Sequence, residues 1–144
     1  MNIVDTVEKD LIVVPVKSSD KEGVLNELVE RLCEVKHFSK PGIVEAVLER
    51  EALGSTAIGN GVAVPHCKTD LVTGVNLVIG ISQRMIAYDN NEVRIFFLVV
   101  ANENESTSHV KLLSSIARFC SSAVLRNLLA SSKTPEEVYL TINN

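Results

Sequence analysis

Val93-Arg94-Ile95-Phe96-Phe97-Leu98-Val99-Val100 carries a single charge in an otherwise apolar run, and Val75-Asn76-Leu77-Val78-Ile79-Gly80-Ile81 lies just upstream of it. Neither run alternates between apolar and polar residues. Both are rich in β-branched side chains, so each reads as a strand buried on its two faces, which requires helices on both sides of the sheet. Val62-Ala63-Val64 reads the same way, and Tyr88-Asp89-Asn90-Asn91-Glu92 supplies turn residues between the two longer runs. Leu11-Ile12-Val13-Val14-Pro15-Val16 predicts a further strand, placed at an edge or ending early because Pro15 lacks an N–H.

The intervening segments have helical spacing. Ser19 or Asp20 can cap a helix whose stripe of Val24, Leu25, Leu28, Val29 and Leu32 runs to about Val35. A second begins near Pro41 behind Ser39, with Ile43, Val44, Val47 and Leu48 inward. After the polar segment 102–108, His109, Leu112, Leu113, Ile116 and Ala117 recur at helical spacing, and Val124 to Ala130 suggests a short helix. Thr134-Pro135-Glu136-Glu137 announces the last one with the pattern of a capping box. The chain therefore reads as one domain over 1–144, an α/β (α+β) sandwich with a single mixed β-sheet flanked by helices on both faces.

Composition narrows the function. With 144 residues, 46% of them hydrophobic, the chain can bury one core. A formal net charge of −4, 4% aromatic residues and no tryptophan argue against nucleic-acid binding and suit a basic protein partner better. No run reaches the roughly eighteen apolar residues of a membrane span, and Met1-Asn2-Ile3-Val4-Asp5 lacks the basic start of a secretory signal, so a cytoplasmic protein without membrane insertion is expected. Cys33, Cys67 and Cys120 are odd in number and form no CxxC pair, and they read as reduced thiols.

The chemistry concentrates in Gly54-Ser55-Thr56-Ala57-Ile58-Gly59-Asn60-Gly61-Val62-Ala63-Val64-Pro65-His66. Glycine-rich segments expose amides that bind anions, and Pro65 biases Val64 towards an extended conformation, delivering His66 at a strand end. Phosphoryl transfer through histidine needs a neutral ring nitrogen and donors around the phosphoryl oxygens. His66 is the candidate nucleophile. Ser55, Thr56, Gly59 and Gly61 are the candidate phosphate-binding residues, and Arg50 offers a guanidinium suited to two parallel bonds. A solvated ion pair with Glu49 or Glu51 is the plainer reading of Arg50. His109, opening a helix, is a second histidine able to face His66, although a satisfied surface histidine is the usual outcome. His37 has no companion motif.

Three other readings fit less well. Zinc held by His66, Cys67 and His109 is disfavoured because adjacent residues of an extended segment point to opposite faces, and the same geometry weakens a Cys67/His66 thiol hydrolase. A P-loop is excluded because no GxxxxGK[ST] pattern occurs.

Arg50-Glu51 followed by Gly54 to Cys67 is similar, along its length, to the active-site signature of the type-2 enzyme IIA domains of the bacterial phosphoenolpyruvate-dependent phosphotransferase system, the mannitol/fructose class that includes the nitrogen-related regulatory enzyme IIA. The resemblance extends from the Leu11 strand through Glu27-Leu28 and Val93 to Val99 and on to His109-Val110-Lys111-Leu112-Leu113. It implies that His66 carries the phosphoryl group, that Arg50 stabilises it and that His109 is the second active-site histidine. It also implies an HPr-like phosphocarrier as donor, a IIB domain or a regulatory kinase or transporter downstream, and no cofactor or metal. No IIB or membrane segment accompanies the domain in this sequence, which favours nitrogen-type regulation over sugar uptake. A non-catalytic module whose binding is switched by phosphorylation of His66 is the alternative. Two departures stand out: Ala101-Asn102-Glu103-Asn104 lacks the proline usual after this strand, and Cys67-Lys68 replaces a small residue and an arginine.

Overall fold

The computed structural model describes residues 1–144. Helix α1 (Ile3–Thr6) and strand β1 (Ile12–Val13) precede helices α2 (Lys21–Lys36) and α3 (Lys40–Leu53). Three short strands follow, β2 (Ala57–Gly59), β3 (Val62–Ala63) and β4 (His66–Lys68), then the long strands β5 (Val75–Tyr88) and β6 (Asn91–Ala101). Helices α4 (Ser106–Cys120), α5 (Ala123–Ala130) and α6 (Pro135–Asn143) close the chain.

The two long apolar runs pair with each other as an antiparallel hairpin, with Ile79 opposite Phe97 and a turn in which Asp89 adopts φ 57°. Strands run in the order β1-β5-β6-β3-β2, with β4 also on β6 in line with β3. The sheet is mixed: β1 is parallel to β5, β3 and β4 are parallel to β6, and β2 is antiparallel to β3.

Alternation along these strands divides the core in two. Val78, Phe96, Leu98 and Val100 pack with Val24, Leu25, Leu28, Ile43 and Val47 of α2 and α3. Leu77, Ile79, Phe97 and Val99 pack with Ile3, Leu112, Ile116, Leu129 and Val138 on the other face. A strand buried on both sides carries apolar residues on each, which is why these runs show no alternation, and the buried Asn76 is accommodated by donating to the Thr73 and Val100 carbonyls. Gly80 lets α2 pack closely on the sheet, since a Cβ there would lie 2.8 Å from Leu28 Cδ2.

Helix starts follow the caps read from the sequence. Asp20 accepts from the Gly23 amide to begin α2, and Thr134 accepts from the Glu137 amide to begin α6. Three elements differ from expectation. The Leu11 run contributes only Ile12 and Val13 to the sheet, because Lys9–Leu11 turns as a 3₁₀ helix and Pro15 has no N–H to give. Helix α4 starts at Ser106, so His109 lies in its first turn and not at its opening. Helix α1 has no long periodic stripe; Asn2 caps it, and the Ile3 amide donates to Ser115 Oγ at 2.9 Å.

Candidate functional site

His66 sits where one line of strand is interrupted. Val62 and Ala63 pair with Ile95 and Phe96, and three positions on, His66, Cys67 and Lys68 pair with Val99, Val100 and Ala101. Between them Pro65 has no N–H, although its carbonyl still accepts from the Val99 amide at 2.9 Å. Val64 turns the other way and donates to Thr56 O at 3.0 Å. Beyond that bond β2 has ended, so the Val64 carbonyl accepts nothing from its neighbour strand and accepts instead from His66 Nδ1, at 2.8 Å. A carbonyl only accepts, so Nδ1 holds the ring proton and Nε2 keeps a free lone pair.

Pleating sends alternate side chains of this line to opposite faces. Cys67 packs into the α2–α3 core while His66 faces α4, so the thiol and the imidazole do not converge. Burial pushes the Cys67 thiol up to about 12.

Facing His66 is His109, held in the first turn of α4 because Leu112 and Ile116 on the same helix bury in the core beneath. The two rings meet edge to face, 5.5 Å between centroids at 72°. His109 is 5% exposed, and its buried Nε2 has no hydrogen-bond partner. Burial, and then the neighbouring His66 and Lys68, push the imidazole down to about 4, so it is neutral at neutral pH.

Lys68 stands on the same face of β4 as His66 and places its ammonium 3.3 Å from Ser106 Oγ, at the first residue of α4. Arg50 comes from the last turn of α3, and its guanidinium donates to the Gly54 carbonyl at 2.9 Å. The structure thus brings His66 and His109 into contact and ties Arg50 to the start of the glycine segment.

The other expected phosphate ligands are placed differently. Asn60 and Gly61, at φ 57° and 78°, form the tight turn of the β2–β3 hairpin. Positive φ at both central residues is what such a turn demands, so Asn-Gly serves the hairpin. Val62 lies opposite Ile95 and His66 opposite Val99, which puts the Gly59–Gly61 turn about 13 Å from His66 along the sheet at roughly 3.3 Å per residue. Gly59 and Gly61 therefore do not cradle a group on His66. The Thr56 hydroxyl is also turned away: it is buried, donates to Glu51 Oε2 and pairs with the Tyr88 hydroxyl at 2.8 Å on the α2–α3 side. Ser55 Oγ accepts from the Ala57 amide at 3.3 Å, and its hydroxyl helps Lys21 to hold the Asp89 carboxyl below its usual range, Lys21 first and Ser55 second. Only the backbone of Gly54 to Thr56 lies at the His66 end of the hairpin.

Two groups escaped the sequence reading. Lys68 has a usable signal, since residues two apart on a strand share a face. The buried set of Glu51, Thr56, Tyr88 and Lys21 has none, because it joins two helices, a strand and the segment ahead of β2.

Residues 5–144 match the family described as Phosphoenolpyruvate-dependent sugar phosphotransferase system, EIIA 2. A nitrogen regulatory protein of Bradyrhizobium diazoefficiens is 30% identical over 142 residues, covering 96% of this chain and 93% of that protein. The fructose-specific EIIABC component of Bacillus subtilis is 29% identical over 147 residues, which are 99% of this chain but 23% of that protein. Among solved structures, nitrogen regulatory protein IIA-Ntr from Neisseria meningitidis superposes with a TM-score of 0.88 at 25% identity, covering 97% of this chain and 98% of that one. Enzyme IIA mannitol of Escherichia coli, in its complex with phosphorylated enzyme IIB mannitol, shares the fold with a TM-score of 0.83 at 21% identity, covering 99% and 98%.

Proposed function

The chain belongs to the phosphoenolpyruvate-dependent sugar phosphotransferase system EIIA 2 family, and from that premise we propose that it is a phosphocarrier whose His66 Nε2 accepts a phosphoryl group from a phosphohistidine of an HPr-like protein. One observation carries the assignment to these atoms. The His66 ring is held with Nδ1 on the Val64 carbonyl, which keeps the Nε2 lone pair free in a ring 5.5 Å from that of neutral His109, whose own Nε2 is buried without a partner.

In the transfer the donor's N–P bond breaks, its histidine keeps the electron pair, and a new bond forms between phosphorus and His66 Nε2. Positive charge develops on the His66 ring as its lone pair is used. The Nδ1–H to Val64 O bond strengthens in response, a preorganised dipole that needs no rearrangement. His109 then turns an N–H to one phosphoryl oxygen, and Arg50, leaving Gly54, supplies two parallel donors to others. The same phosphohistidine serves transfer onward to a IIB component or acts as a regulatory signal.

Incubation with phosphoenolpyruvate, enzyme I and HPr is expected to add one acid-labile phosphoryl group, and His66→Ala to abolish it. Full labelling of His66→Ala would place the acceptor elsewhere. Adding a IIB component to the phosphorylated protein separates onward transfer from signalling.

A further inference from the structure

Lys68 follows His66 by two residues on β4, so the two side chains leave the same face of the sheet. Ser106 precedes His109 by three residues on α4, so those two share one face of the helix. Strand face and helix face meet in two matched contacts: the imidazoles of His66 and His109, 5.5 Å apart, and Lys68 Nζ with Ser106 Oγ, 3.3 Å apart. The ammonium therefore lies beside the histidine pair. It forms no ion pair, unlike Lys9, Lys21, Lys36 and Lys40, and its charge is free for a ligand.

The electrostatics of the pair require such a charge. A phosphoryl group brings about two negative charges to a site whose two imidazoles add none when neutral. Glu103 and Glu105, just ahead of α4, add repulsion. Arg50 answers part of this, but it comes from α3, in the other layer, and its guanidinium rests on Gly54. Lys68 begins about 6.6 Å from His66 along the strand, two residue rises, which a lysine stem spans easily.

We propose that Lys68 is a catalytic residue of this chain, its ammonium leaving Ser106 to bind an oxygen of the phosphoryl group as that group bonds to His66 Nε2. This rests on the phosphocarrier reading. The phosphoryl oxygens then have donors from three elements: His109 from α4, the two-pronged Arg50 from α3 and Lys68 from β4. Ser106 parks the ammonium when the site is empty.

The test uses phosphoramidate, a small P–N phosphoryl donor with no protein surface to dock. Its P–N bond breaks with loss of ammonia, which keeps the electron pair, as the bond from phosphorus to Nε2 forms. The rate of His66 phosphorylation, read by intact mass and ³¹P resonance, is compared for the wild type, Lys68→Met, Lys68→Arg and the exposed control Lys111→Met. Lys68→Met is expected to be slower by roughly tenfold to a hundredfold, below the hundredfold to thousandfold of a fully buried donor because Lys68 is exposed. Lys68→Arg should return to within a few-fold of the wild type, and Lys111→Met should match it. The half-life of the phosphorylated protein should shift in Lys68→Met and not in Lys111→Met. Equal phosphoramidate rates for the wild type and Lys68→Met overturn the proposal, even if HPr-dependent labelling falls, since Lys68 would then serve docking alone. No labelling of the wild type by phosphoramidate overturns it as well. Labelling by phosphoramidate but not by phospho-HPr rejects the phosphocarrier reading, and the role of Lys68 is still decided by the chemical rates.

Discussion

Thr56→Val separates a structural hydroxyl from a phosphate ligand. In the folded protein Thr56 is 5% exposed and its hydroxyl donates to Glu51 Oε2 and meets the Tyr88 hydroxyl at 2.8 Å. Glu51 Oε1 in turn lies 3.0 Å from Lys21 Nζ, which also reaches Asp89 at 2.8 Å and stands 4.6 Å over the Tyr88 ring. Valine has nearly the shape of threonine, so the substitution opens no cavity and removes only the hydroxyl. A hydrogen bond to a charged group contributes about 1.5–3 kcal/mol, and the second bond, to a tyrosine that can still turn to Glu51, adds little. The expected loss is about 2–3 kcal/mol, or a fall in Tm of about 6–9 °C at roughly 3 °C per kcal/mol for a chain of this size. Urea unfolding at pH 7 measures the first quantity and calorimetry the second. Single-turnover phosphorylation of His66, run well below the transition, should stay within about twofold of the wild type, because the hydroxyl lies on the α2–α3 face. Unchanged stability together with a rate loss beyond about tenfold would refute the reasoning by placing that hydroxyl on the phosphoryl group.

Arg50→Ala should slow transfer by roughly tenfold to a thousandfold in single-turnover mixing with phospho-HPr, and Arg50→Lys should recover only part, since a point charge does not replace a planar fork. Gly61→Ala, at φ 78°, should cost about 1 kcal/mol in urea unfolding and leave the transfer rate unchanged; a slowed transfer with intact stability would return the hairpin turn to the site. His109 has its folded value lowered to about 4 from 6.5, so the unfolded chain takes up its proton first as pH falls. Its contribution is present in full above about pH 6.5 and is lost between there and pH 4, by about 2–3 kcal/mol. Urea curves from pH 7 to 4 should therefore fall less steeply for His109→Gln than for the wild type, and parallel curves would contradict the buried neutral ring.

The sheet was legible because burial on both faces leaves a mark in composition: Val93 to Val100 has one charge, Arg94, and it escapes by donating to the Ser82 and Gln83 carbonyls at the strand's outer end. Helix starts were legible where a side chain alone makes the cap, as at Asp20 and Thr134. The histidine pair followed from the strand-then-helix order around it. The glycine segment was misread in part because glycine advertises conformational freedom and not its use. Asn60-Gly61 between short apolar pairs is the sequence pattern of a two-residue hairpin, and it takes the glycines assigned to anion binding. The direction of Thr56 was not legible, since it depends on a buried carboxylate from α3 and a tyrosine from β5 meeting at one point. Lys68 was seen only as a departure from a pattern, although its spacing from His66 already put both on one face.

His66 owes its orientation to backbone alone, and the cause lies in how two strands stop. The Val64 amide faces β2 and the Pro65 carbonyl faces β6, so the line formed by β3 and β4 is tethered on both sides over the two residues before the histidine. A strand held on both edges has little freedom to slide, and the one carbonyl without a ladder partner, that of Val64, is held with it. The histidine two residues on bends back to that carbonyl. A carboxylate in the same place would orient the ring equally well, but it would add a negative charge close to the path of an incoming phosphoryl group, with repulsion on the order of several kcal/mol at 4 Å in a surface dielectric. A neutral carbonyl fixes the tautomer without that repulsion, which in the transfer we propose leaves Arg50 and Lys68 free to act on the phosphoryl oxygens and not on a resident anion.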